Sequence, residues 1–507
     1  SMLTWGEMSA FGKTSLGNES VYNAGYNLTR YIAQTYGEDK LPAITQAMSS
    51  LFVFTVDAAI EEVLGKSGAE LYDEWAAHLR DEYEKRIAPV RARKVEGTLV
   101  ADVGFGNFYP TWSPDGNSFA YVSNKTSDYF GQSAIYLHDI KSGEEKMLAA
   151  GVHSMLSWSP DGKRIAYSRY NDPSVYGHLY YDLYVYDLEA EEETRITRGL
   201  RAYNPAFSPD GASLAFVYAQ DGTVNLGLVN ADGSGYRSVT AFEHGEQVFT
   251  PAWSPAGDWL VFGFSPRVQR GIARVRPDGS GFEPLIAPLH ADARDPQYTA
   301  DGAAIVYASD RTGIFNIYRH ELGNRGEDAA LTNVLGGAFM PSVNSSGDLL
   351  YAAYTAAGYR IAQLPAAQPV ATEGHHYLPS VMYASPIASV DPTAWDWEAL
   401  NSFDDSKLPE YTSSTYERLF QSMMYFPTLR IDEFNPDNSG IELLKPGLMM
   451  YSTDVLNRVE FLASGSMNIK GERDLYLNIT YRDDLPIFSS LGLYPDLSLE
   501  VFNVTRS

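Results

Sequence analysis

The sequence predicts a mainly β fold: a six-bladed β-propeller, preceded by an α-helical module and followed by an antiparallel β segment. Three observations carry this. A short motif, typified by Trp-Ser-Pro-Asp-Gly, recurs six times. Its period is nearly constant. Each copy is followed by two runs of alternating, β-branched and aromatic residues. Four short strands per repeat of this length is the pattern of propeller blades.

The first 92 residues read as helices. A helix is expected from Ser20, an N-cap residue, to Gly37, which suits the left-handed position after a helix end. A second is expected from Ser67, with Glu70 three residues later completing a capping box. Its apolar positions Leu71, Trp75, Leu79, Tyr83 and Ile87 recur every four residues and predict one buried stripe, and Pro89 is expected to end it. Residues 1–92 are assigned to this module.

Residues 93–366 are assigned to the propeller. The six motifs read PTWSPDG, LSWSPDG, PAFSPDG, PAWSPAG, PQYTADG and PSVNSSG. Their final glycines, Gly116, Gly162, Gly211, Gly257, Gly302 and Gly347, are spaced 46, 49, 46, 45 and 45 residues apart. The last repeat is one strand short. Lys94–Val103 is expected to supply that strand and close the ring, which removes open sheet edges.

Residues 367–507 are expected to hold an extended linker and then antiparallel strands. In RDLYLNITYR, Leu475, Leu477, Ile479 and Tyr481 share one face, while Asp474, Tyr476, Asn478 and Thr480 share the other. Three or four such strands make a small sheet or the first strands of an outer-membrane barrel. Ser1-Met2 reads as a cloning remnant, and the chain is expected to be a piece of a longer protein.

Composition narrows the function. A formal charge of −26 opposes general nucleic-acid binding, which needs clustered Lys and Arg. There is no cysteine, so disulfides and thiolate metal sites are excluded. No apolar run is long enough for a transmembrane helix. No metal and no cofactor is expected.

The serines of the motif, Ser113, Ser159, Ser208 and Ser254, are candidate nucleophiles only on paper. No histidine accompanies each of them, and a nucleophilic serine needs a base and an oxyanion hole. A turn accounts for every letter instead: Ser and Asp bond to the backbone, Pro sets φ, and Gly takes positive φ. Gly6–Ser15 falls one residue off a phosphate-binding loop, with no strand before it. His375 and His376 are adjacent, so on a strand they face opposite sides, and they read as linker residues.

The remaining functional surface is the mouth of the propeller. Four positions before each motif aromatic, Phe108, Ser154, Tyr203, Phe249, Arg294 and Phe339 begin the innermost strands. Next come Tyr109, Met155, Asn204, Thr250, Asp295 and Met340. The expected binding residues are Phe108, Tyr109, Tyr203, Asn204, Phe249, Arg294, Asp295 and Phe339. An aromatic rim with one Arg and one Asp suits a peptide segment. The competing expectation is that these rings only plug the channel.

The repeated WSPDG motif over residues 94–366 resembles the TolB-type, WD40-like propeller repeat of bacterial periplasmic proteins. VYNAGYNLTRYIAQTYGEDKL and GKSGAELYDEWAAHL resemble the helical end of zinc-dependent peptidase MA-like (gluzincin) domains. Together with the C-terminal strands, the order resembles large bacterial envelope proteins that join a peptidase-like domain, a propeller and an outer-membrane barrel. Gluzincins hold zinc with an H-E-x-x-H helix, and that motif is absent from this chain. By this resemblance, Glu7 in TWGEMSAF is the early glutamate that would correspond to a third ligand.

The resemblance implies a binding scaffold of the periplasm or outer membrane with a protein or peptide partner. The alternative is a hydrolase: a zinc peptidase whose motif lies outside this chain, or an esterase or peptidase with an unfamiliar site.

Overall fold

The structure, a computed structural model, describes residues 3–9, 17–50, 53–127, 131–171, 177–288, 291–323, 328–370, 423–482 and 485–505. His375, His376 and most of the expected linker lie outside these residues. The chain divides into two compact units, Ser1–Asp391 and Pro392–Ser507.

The first unit opens with helices α1 (Gly17–Tyr36), α2 (Lys40–Ala47), α3 (Val56–Leu64) and α4 (Gly68–Ala92). Ser67 and Glu70 form the expected capping box at the start of α4. Ser20 is not the N-cap, because α1 already runs from Gly17. Leu71 and Trp75 are buried with Leu28, Tyr31, Ile32 and Ile60, and the Trp75 indole donates to Asn27 Oδ1 at 2.9 Å. The apolar stripe is buried only in this N-terminal half, and Tyr83 is exposed.

Pro89 does not end α4, which continues to Ala92. Tertiary contact holds this last turn. Val90 is 2% exposed and packs with Leu331 and Val334. Asn333 Nδ2 donates to the carbonyls of Val90 and Arg93, at 3.3 and 2.9 Å. Burying one such valine stabilises by roughly 1.5–3 kcal/mol, comparable to the cost of a proline in a helix.

Among the described residues, six four-stranded antiparallel sheets follow. Their first strands are Asn107–Trp112, Ser157–Trp158, Ala202–Phe207, Gln247–Trp253, Ala293–Tyr298 and Ala338–Val343. Each touches the next, and the sixth touches the first, so the cycle is closed. The outermost strand of the last sheet is Thr98–Ala101. It pairs with Gly358–Leu364 through Thr98 to Gln363 and Leu99 to Ala362. The N-terminal strand thus completes the C-terminal sheet, and each sheet covers the apolar face of its neighbour.

The repeated motif builds the seams. The Trp158 and Trp253 indoles donate to the carbonyls of Thr111 and Ala206, each in the first strand of the preceding sheet, at 3.1 and 3.0 Å, and Trp112 donates at 3.2 Å to the carbonyl of Asp348, just before the second strand of the sixth sheet. The Ser113 hydroxyl donates to Asp115 Oδ1 at 2.6 Å and accepts from the Ser118 amide at 3.1 Å. Ser159–Asp161, Ser208–Asp210 and Thr299–Asp301 repeat the pair. Gly116 sits at φ +71°, where a side chain would be strained. The serine hydroxyl is occupied by its turn, and it also holds the Asp115 carboxyl below its usual range.

The second unit contains one five-stranded antiparallel sheet: Met424–Ile431, Leu444–Thr453, Val459–Met467, Arg473–Tyr481 and Leu497–Val504. Three or four strands were expected; Met424–Ile431 carries Pro427, which a sequence reading disfavours but an edge strand accepts. The register aligns Tyr425, Met450, Ala463, Leu477 and Val501 across all five strands. Leu429, Leu448, Leu475, Leu497 and Leu499 share that apolar face and are exposed. On the opposite face Lys445 is fully buried, with Nζ 2.5 Å from Asp432 Oδ2 and 3.2 Å from Asp474 Oδ2.

Candidate functional site

Five of the six first strands carry an X-Pro step near their start: Tyr109-Pro110, Asn204-Pro205, Thr250-Pro251, Asp295-Pro296 and Met340-Pro341. Proline has no N–H to give to a ladder. The pairing register shifts at each of these steps, between Phe108 and Thr111, Tyr203 and Ala206, Phe249 and Ala252, Arg294 and Gln297, and Phe339 and Ser342. The residue before each proline lies in the left-handed region, with φ of 51°, 53°, 36°, 53° and 52° in chain order. Such values are strained for non-glycine residues, most of all for β-branched Thr250. The second repeat has Met155-Leu156 instead. Met155 has no positive φ, and the strand there shortens to Ser157–Trp158.

The repeated bulge brings these residues to a cavity of about 240 Å³ where the first strands converge. Of the eight residues expected from sequence, Phe108, Tyr109, Asn204, Phe249, Arg294, Asp295 and Phe339 line it, together with Thr250 and Met340. Tyr203 does not. It packs against the core of the third and fourth sheets and makes a ring contact with Tyr181. The bulge separates it from Asn204 and leaves Asn204 at the lining. A smaller adjoining space, about 30 Å³, is lined by Met155 and three of the prolines.

Two lining residues, Arg270 and Tyr359, escape the motif alignment because they stand at the entry of third strands, just before Gly271 and just after Gly358, rather than on first ones. In an antiparallel sheet the first and third strands start at the same end, so aligning the third-strand starts is the signal that finds them. The Tyr359 and Phe108 rings touch at a tilt of 50°, with centroids 4.9 Å apart.

The site is polar at its centre. Arg270 lies over the Phe249 ring at 3.9 Å, and its Nη2 is 3.6 Å from Asp295 Oδ1. Thr250 Oγ1 donates to the same carboxylate oxygen at 3.3 Å. Arg294 Nε donates to Asp292 Oδ2 at 3.1 Å, and its guanidinium lies over Phe315. Burial pushes the Tyr109 hydroxyl up to about 12, with the Asp295 charge adding to it. It is therefore a protonated donor at neutral pH. Burial also lowers the Arg270 pKa, opposed by Asp295. The arrangement offers two arginines, the phenols of Tyr109 and Tyr359, and aromatic walls. Elsewhere, Glu7 accepts from the Thr4 amide and hydroxyl, both at 2.8 Å, and so closes a local turn.

A segment of this chain is similar to an uncharacterised protein of Agrobacterium fabrum, 35% identical over 136 residues, covering 26% of this chain and 43% of that protein. The Tol-Pal system protein TolB of Alcanivorax borkumensis is 30% identical over 116 residues, covering 22% of this chain and 26% of that protein. The chain thus spans less than half the length of these relatives. The crystal structure of TolB from Acinetobacter baumannii aligns at a TM-score of 0.41 and 22% identity, covering 47% of this chain and 57% of that one. Residues 106–293 match the family model described as the TolB beta propeller domain.

Proposed function

We propose that this chain is a protein- or peptide-binding scaffold of the bacterial envelope, acting in the periplasm through the mouth of a six-bladed propeller. The single observation that carries this reading is the aromatic-walled cavity built by five repeated left-handed bulges. Strained backbone kept at one ring of positions points to a site rather than to packing alone, and rigid rings offer contact area at low entropic cost. The closed cycle of six four-stranded sheets supports the blade count.

Helices α1–α4 are read as a remnant of a peptidase MA-like domain and the five-stranded sheet as the first strands of an outer-membrane barrel. An exposed apolar face on strands of 8–10 residues supports the latter, because lipid-facing strands alternate in this way.

A photo-crosslinking residue at Phe108 or Phe339, in the full protein in its own bacterium, tests the binding role. The expected result is one discrete crosslinked protein, lost when Tyr109 and Phe249 are both replaced by alanine. Stoichiometric zinc in the purified chain, or turnover of peptide or ester substrates, would instead establish the hydrolase alternative.

A further inference from the structure

The cavity holds a guanidinium whose hydrogen-bonding capacity is not used. Arg270 is 16% exposed, its nearest carboxylate oxygen is 3.6 Å away, and its Nε has no hydrogen-bond partner. A guanidinium carries five N–H donors, and buried polar groups are ordinarily satisfied. Arg294 differs, since Asp292 engages it through Nε and Nη2.

The seat of Arg270 is built for it. A Cβ on Gly263 would stand 3.1 Å from Arg270 Nε, 3.2 Å from Nη2 and 3.2 Å from Phe249 Cβ. Glycine at this strand position lets the guanidinium lie flat between the strand and the Phe249 ring. In a chain where 64 acidic residues face 38 basic ones, the lining has two arginines against one aspartate.

We propose that the cavity is a carboxylate pocket, in which the unused donors of Arg270 and the Tyr109 hydroxyl receive a carboxylate of a bound peptide. This rests on the peptide-binding reading above. Planar, bidentate recognition of carboxylate is what arginine supplies and lysine does not. Tyr109 adds a neutral donor beside it, and Phe249 and Phe339 hold the adjoining chain. Asp295 fixes Arg270 without neutralising it at hydrogen-bond distance.

The test uses the purified full chain and three probes, followed by calorimetry: trialanine with a free C-terminus, trialanine amide, and acetyl-Ala-Asp-Ala amide. The expected result is that at least one carboxylate-bearing probe binds roughly tenfold or more tightly than trialanine amide. Preference for trialanine assigns a chain terminus, and preference for the aspartyl probe assigns a side chain. Arg270→Met is expected to abolish the discrimination. Gly263→Ala is expected to weaken it several-fold with the thermal midpoint of the propeller kept near wild type. Arg270→Lys is expected to restore little of it. Equal binding of all three probes overturns the carboxylate pocket and leaves the peptide-binding reading standing. Binding of none of them overturns both.

Discussion

The indole nitrogen of Trp158 donates to the carbonyl oxygen of Thr111, one sheet earlier in the ring, at 3.1 Å. Trp253 makes the equivalent bond to Ala206, Trp112 donates instead to the carbonyl of Asp348, and Phe207 holds the same position with no donor to give. Packing is thus common to these four rings and to Tyr298 of the fifth copy, and an indole hydrogen bond is an addition at the three tryptophans.

Trp158→Phe is accordingly expected to destabilise the first unit by about 1 kcal/mol, the net worth of one hydrogen bond. Trp158→Ala is expected to cost about 3–5 kcal/mol through the cavity it leaves. Urea denaturation followed by tyrosine fluorescence checks both, and equal costs for the two variants would contradict the separation.

Thr250 holds φ at +36° in a position that four other residues also take with positive φ. Thr250→Asn replaces a β-branched side chain with one that tolerates this region, at the loss of the 3.3 Å bond to Asp295. The expected outcome is a gain of about 1 kcal/mol in stability, seen as a higher thermal midpoint. Thr250→Val keeps the branching and is expected to lose stability.

Asp328 shows how the sheets depend on pH. Burial pushes its carboxyl up, but bonds from His320 and Tyr307 and the Arg311 charge outweigh this, and its pKa falls below the ordinary 3.8. The His320 Nδ1 contact is 2.7 Å and the Arg311 Nη2 contact 3.0 Å. A depressed carboxyl contributes stability above its unfolded pKa, and that stability is lost as pH falls through the folded one. Asp328→Asn is therefore expected to lower stability at pH 7 and to flatten its decline below about pH 4. Chemical denaturation at a series of pH values reads this directly.

Lys445 is fully buried between Asp432 and Asp474 in the five-stranded sheet. Lys445→Met removes the buried cation that Asp432 and Asp474 share, while Asp474 keeps Arg430 at 3.4 Å, and it is expected to destabilise that sheet by about 3–5 kcal/mol. The triple replacement with Asp432→Asn and Asp474→Asn is expected to recover most of the loss. Limited proteolysis between residues 423 and 505 is the measurement, and an unchanged cleavage rate for Lys445→Met would argue against the ion cluster as a staple.

Much of the site was legible because the repeat forces symmetry. Aligning six copies placed Phe108, Tyr109, Asn204, Phe249, Arg294, Asp295 and Phe339 at one rim without any knowledge of distance. Tyr203 misled because its register position matches Phe108, yet its ring turns to the core, and one-dimensional alignment does not encode that choice. Arg270 and Tyr359 were missed because they arrive from third strands, which the motif does not mark. Pro89 was overread for a related reason: local propensity stops a helix there, but the contacts of Val90 and Asn333 outweigh it.

By itself, then, the sequence determined the number of repeats, the turn chemistry, a closing strand within Lys94–Val103 and the alternation of the C-terminal strands. These are local or periodic properties, written in residue types at short spacing. Only the tertiary structure decided which rim residues converge on the cavity, that Arg270 stands there with unused donors over Gly263, and that Lys445 is buried between two aspartates. Those facts depend on side chains brought together from strands far apart in the chain, where packing rather than propensity sets the geometry.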